Sequence, residues 1–129
     1  MKKLTYLLLA VGVIFMASCQ KPSEKAAGNY DGNYTVGTAY AGTAVLTASG
    51  DNTNWTMNIP SMSVTGTASG VTTTASGDNV TFAYTSSSTT DGDITSISGT
   101  LTGNNLTFTF TVRAFGGSVG GTFAGSKPA

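Results

Sequence analysis

"ASGDNTNWTMNI" occupies residues 48–59, a shortened form, "ASGDNVTFAY", returns at 75–84, and a looser copy, "LTGNNLTFTF", follows at 101–110. Each places Gly with Asp or Asn ahead of a run in which every second residue is apolar. Gly, Asp and Asn tolerate the positive φ of tight hairpin turns, and alternation of period two marks a strand with one dry face. The recurring unit therefore reads as a hairpin tip feeding a strand, and its acids as turn residues rather than a metal loop or a catalytic pair.

The same alternation groups Tyr34, Val36, Thr38 and Tyr40, then Trp55, Met57 and Ile59, then Val80, Phe82 and Tyr84, then Leu106, Phe108, Phe110 and Val112. Positions between them are mainly Thr, Asn and Ala, and strong helix formers are scarce. Weaker segments at 43–49, 62–68, 71–75, 94–101 and 118–124 fill the gaps, giving about eight or nine short strands at regular spacing. The expected fold class is all-β, a single antiparallel up-and-down β-barrel of about eight strands, because closure leaves no long edge exposed. Gly37, Gly66 and Gly99 fall inside strand-like runs, where a missing side chain permits a bend or bulge.

At 129 residues the chain has room for one domain. Its start is different in kind. "MKK" and "LTYLLLAVGVIFM" have the basic and apolar character of an export signal, and "MASC" sets Ala17 and Ser18 before Cys19, the single cysteine. This resembles the lipobox of bacterial lipoproteins. It implies a signal peptide over 1–18, cleavage after Ser18, and lipid attachment at Cys19 through acyl chains such as palmitate, which hold a protein on a membrane. One cysteine cannot form an internal disulfide, which agrees with that use. Residues 19–28 contain Pro22 and no apolar periodicity, so they are expected to be a flexible tether without a helix, with Lys21, Glu24 and Lys25 solvated. The barrel domain is expected over 29–126.

Removal of Lys2 and Lys3 with the signal leaves four basic against six acidic residues. A net charge of about −2 provides no footprint for nucleic acid or for an anionic bilayer. Catalysis is equally poorly equipped. The chain has no His, so the Ser-His, Cys-His and zinc arrangements each lack a member. Asp31, Asp51, Asp78, Asp91 and Asp93 all adjoin Gly or Asn and are expected in solvated turns. "TTDGDITS", with Asp91 and Asp93, comes closest to a cation loop, but Ca²⁺ takes six or more oxygens and two carboxylates are in view. The N-x-[ST] matches at Asn33, Asn54, Asn79 and Asn105 each begin a Thr-rich strand, and composition explains them. No catalytic residue, metal or cofactor is expected, and the protein is read as no enzyme.

The barrel interior remains. Tyr34, Tyr40, Trp55, Met57, Ile59, Phe82, Tyr84, Phe108, Phe110 and Phe123 either line a cavity or fill it. Barrels of eight strands stand at the size where both outcomes occur.

The run from "NYDGNYTVGTAYAGTAVLTASG" through "GTLTGNNLTFTFTV" to "GTFAGSK" resembles the small calycin-like, lipocalin-like β-barrel lipoproteins of Bacteroidetes-type bacteria. The likeness lies in the Gly32–Tyr34 opening, the Thr/Gly hairpins, and the penultimate and closing strands. It implies an envelope protein, lipid-anchored in the outer membrane, that binds a small and mostly apolar ligand without catalysis. The expected ligand-binding residues are Tyr34, Trp55, Met57, Phe82, Tyr84, Phe108 and Phe110. Arg113 is the position it suggests for the Arg that often closes a lipocalin barrel. The alternative is a filled barrel serving as a structural or protein-interaction module, touching a partner through its loops or Thr-rich outer faces.

Overall fold

The computed structural model describes residues 21–128, so the expected signal peptide and Cys19 lie outside the described residues. The alternation resolves into eight strands: β1 (Gly28–Val36), β2 (Thr38–Ser49), β3 (Asn52–Ile59), β4 (Val64–Ser76), β5 (Asn79–Thr85), β6 (Ile94–Thr102), β7 (Asn105–Ala114) and β8 (Gly117–Ser126). Each pairs antiparallel with the next, and β8 returns to β1, closing an up-and-down barrel. Burial follows the pleat. On β3 Thr53, Trp55, Met57 and Ile59 are buried while Asn52, Thr56 and Asn58 face solvent, and on β7 Leu106, Phe108, Phe110 and Val112 alternate with exposed Thr107 and Thr109. Sequestering the apolar set inside one cylinder while the wet set is Thr and Asn is what makes a chain with so few charges fold.

The repeated "SGDN" and "TGNN" units are hairpin tips. The pairs Ser49↔Asn52, Ser76↔Asn79 and Thr102↔Asn105 leave two-residue loops whose first residue is Gly50, Gly77 or Gly103, at φ 60°, 62° and 61°. Positive φ at the first central position is the II′ hairpin geometry, which matches the twist of the flanking strands. All three tips lie at one end of the barrel, here the base. The opposite end, the rim, carries Gly37, the 3-10 turn Pro60–Met62, the 86–93 loop and the Phe115-Gly116 turn.

Three expectations are corrected. The segment 34–40 is not one strand: Gly37, at φ 77°, is the turn between β1 and β2, and Tyr34 and Tyr40 are cross-strand partners. The segments 62–68 and 71–75 are one strand, β4, interrupted by a bulge: Thr53 opposes Val71 but Trp55 opposes Ala68, and the extra residue's neighbour Gly70 donates its amide to Asn54 Oδ1 at 3.0 Å. Finally, Pro22–Ala26 forms a short helix, α1, where no helix is expected. Proline suits a first helical turn, but five residues do not hold a helix alone; Ser23 and Ala26 are fully buried against the base, and packing stabilises it.

Candidate functional site: the barrel interior

Seven aromatic residues from β1, β3, β5, β7 and β8 are buried in the interior, and six of them make one continuous cluster. Trp55 from β3 meets Phe82 edge-on at 5.0 Å between centroids and Phe108 at 4.8 Å. Phe108 stacks on Phe123 at 5.0 Å, and Tyr34 packs against Phe123 at 4.6 Å and edge-on to Phe110 at 5.5 Å. Offset and edge-on contacts at these separations are the favourable ones for aromatic quadrupoles. Gly99 gives the cluster room: it lies between Phe82 and Phe108 in the ladder, and a side chain there would collide with the Phe108 backbone and Cβ.

The polar atoms carried inside are satisfied locally. Trp55 Nε1 donates to Thr53 Oγ1 at 2.8 Å, the Thr53 and Thr73 hydroxyls lie 3.0 Å apart, and Thr73 Oγ1 donates to Val71 O at 2.9 Å. Thr73 spends its proton on the carbonyl, so Thr53 must donate to Thr73, and the relay runs one way from the indole to the backbone. Tyr34 donates to Thr43 O at 2.6 Å and Tyr30 to Ala26 O at 2.7 Å. Burial pushes the Tyr30 phenol up to about 12. It raises Tyr34 further, with a backbone hydrogen bond from Asn58 pulling weakly the other way. Neither phenol is poised to exchange a proton near neutral pH.

A lumen large enough for a small molecule leaves its walls accessible to a water-sized sphere. The residues expected to line one are not: Tyr34 and Met57 are 0 % exposed, Trp55 2 %, Phe82 and Phe110 3 %, and Phe108 4 %. Of the seven expected ligand-binding residues, Tyr34, Trp55, Met57, Phe82, Phe108 and Phe110 therefore fill the barrel. Tyr84 is half-buried: it packs against the edge of the core and also borders a shallow depression with Gly70, Thr72, Ala83 and Thr85. A second open depression, of about 470 Å³, lies on the wall of β6, β7 and β8, where Ser98, Thr100, Thr107, Thr109 and Thr122 share its lining with Gly99, Phe108, Phe123 and Ala124.

The other candidates are dispersed. Asp51 and Asp78 occupy hairpin tips and are exposed, whereas Asp31, expected in a turn, is an exposed position within β1. Asp91 accepts the Gly116 amide at 3.0 Å and Asp93 accepts the Ser88 hydroxyl at 2.7 Å, so both carboxylates brace the rim loop. Among the described residues no group of three or more Cys, Asp or Glu gathers into a metal-binding cluster. Arg113 reaches Thr89 O at 3.4 Å and Ser118 Oγ at 3.3 Å, tying β7 to the rim loop rather than spanning the barrel end.

Sequence reasoning passed over Tyr30 and α1. The available signal was the Tyr30–Tyr34 spacing, which keeps both rings on one face of β1. Comparison with protein-family models, with curated proteins and with solved structures finds no match.

Proposed function

We propose that the chain is a lipid-anchored lipoprotein of the bacterial envelope, in the outer membrane, whose filled barrel is a non-enzymatic structural or protein-interaction module. The observation that carries this reading is the closed aromatic interior, since the side chains occupy the volume an enclosed ligand would need. The "MASC" segment ending at Cys19 supports the anchor.

With the interior occupied, recognition falls to the outside. The wall around Ser98, Thr100, Thr107, Thr109 and Thr122 is hydroxyl-rich and uncharged. The rim offers Phe115, the exposed large hydrophobic among the described residues, at 72 % exposure. Phe115 also sits at φ 55° and Gly116 at φ 73°, a two-residue I′ loop that favours Asn-Gly. A phenylalanine kept in a left-handed conformation costs about 1 kcal/mol or more, a strain that marks functional positions. An exposed aromatic on a hairpin tip suits the apolar pocket of a protein partner.

The experiment is site-specific photo-crosslinking in native cells, with the crosslinker at Phe115 or at Thr107. A discrete protein adduct from the rim position supports the reading. Absence of any protein adduct from both positions in anchored protein contradicts it.

A further inference from the structure

The three repeated hairpin tips together hold the segment through which the barrel joins the rest of the chain. Ser23 Oγ donates to Gly50 O at 2.7 Å and Lys25 Nζ to Asp78 O at 3.0 Å, so α1 touches the first two tips. The third is reached through the C-terminal end of β8: the Lys127 amide donates to Asn104 O at 3.1 Å, and its ammonium returns to Lys25 O at 2.8 Å. Ala26 is buried in the core, with its carbonyl held by the Tyr30 hydroxyl. Lys21, the first described residue, lies with its ammonium 3.5 Å from the Asp51 carboxylate on the first tip.

Cys19 is two residues before Lys21, and two residues of chain reach at most about 7 Å. A lipid on Cys19 is therefore confined to the neighbourhood of the base, whatever path those two residues take. We infer that the barrel stands base-down on its own bilayer, with the three hairpin tips and α1 against the headgroups and the Phe115 rim directed away. The inference rests on the lipid-anchor reading of Cys19 and adds to it the orientation.

The partner surface is the headgroup layer. Lys21, Lys25 and Lys127 are matched there by Glu24, Asp51 and Asp78, so covalent attachment rather than attraction to anionic lipid enforces the contact. Ten residues of β7, rising about 3.3 Å each and tilted as barrel strands are, carry the rim roughly 20–25 Å outward. A partner docking at Phe115 meets it beyond the headgroups.

The test uses the full lipidated chain in phosphatidylcholine vesicles that contain a headgroup nitroxide quencher. A fluorophore is placed on a single introduced thiol at the base (N104C) or at the rim (F115C), with the N-terminal modification read by mass spectrometry. Quenching should be several-fold stronger at the base, and unchanged by raised salt or by added anionic lipid. Releasing α1 with Ser23→Asp and Ala26→Asp, whose carboxylates cannot occupy these fully buried places, in a barrel whose circular dichroism is intact, should bring the two sites close to equality. Equal quenching at base and rim in a lipidated chain overturns the orientation alone. A base preference that survives release of α1 overturns the role of the docked segment. An unmodified Cys19 removes the anchor reading and the orientation with it.

Discussion

Tyr34 on β1 and Phe123 on β8 are register partners across the seam where the barrel closes, and their ring centroids lie 4.6 Å apart. The seam joins opposite ends of the domain, so it is the pairing with the largest chain-closure cost. Side chains reinforce it: Phe123 also stacks on Phe108 of β7, and the Tyr34 hydroxyl is fixed on Thr43 O of β2.

Phe123→Ala should therefore cost about 3–5 kcal/mol, the range for emptying a buried aromatic site. Urea unfolding of the chain from Lys21 onward measures it, with Phe115→Ala as the exposed control expected near zero. A loss at Phe123 no larger than the control's would show that the ladder alone closes the barrel.

Gly99 is set between Phe82 and Phe108, where an added methyl meets backbone rather than a movable side chain. Gly99→Ala should destabilise by about 1–3 kcal/mol through overpacking, seen as a lower melting temperature.

Tyr30 gives the stability a dependence on alkaline pH. Its folded pKa of about 12 exceeds the ordinary 10.0, so between those values the native state binds more protons than the unfolded chain. Stability is then fully present below about pH 10 and falls as pH rises toward 12. Lys127, lowered by partial burial and by the Lys25 charge, acts with the opposite sign as it loses its proton. Tyr30→Phe should lessen the alkaline fall, leaving the part contributed by Tyr34, whose phenol burial raises further. At neutral pH it should cost about 1 kcal/mol by stranding the Ala26 carbonyl. Denaturation at stepped pH, wild type against variant, tests both.

Phe115→Asn should stabilise the fold by about 0.5–1 kcal/mol, since Asn accepts the left-handed conformation and Asn-Gly is the preferred I′ pair. A gain in thermal stability together with loss of the protein adduct from a crosslinker moved to exposed Ser118 on the same hairpin would separate the strain from its use. A loss of stability would show that Phe115 supports the fold.

Strand order and hairpin tips were legible because Gly ahead of Asp or Asn specifies a turn by backbone sterics and β3, β5 and β7 alternate cleanly. The β1–β2 reversal was not. Val36 and Thr38 flank a one-residue turn and are cross-strand partners, so they share a face and the alternation runs on through Gly37 unbroken. The bulge beside Gly70 divides β4 in the pattern without dividing it in space. Helix α1 has no intrinsic signal, because what orders it is contact with Gly50, Asp78 and the core, remote in sequence. The residues of the interior were identifiable; whether they filled it depended on ring orientations and on the space left at Gly99, which no periodicity encodes.

Trp55, the one tryptophan, sits at the centre of that interior between Phe82 and Phe108. Titration with a dibrominated fatty acid reads it directly, because bromine quenches indole emission only near contact. A filled barrel predicts emission that stays unquenched as ligand is added. Quenching that saturates at one fatty acid per chain would contradict it and return the protein to the carriers of apolar ligands.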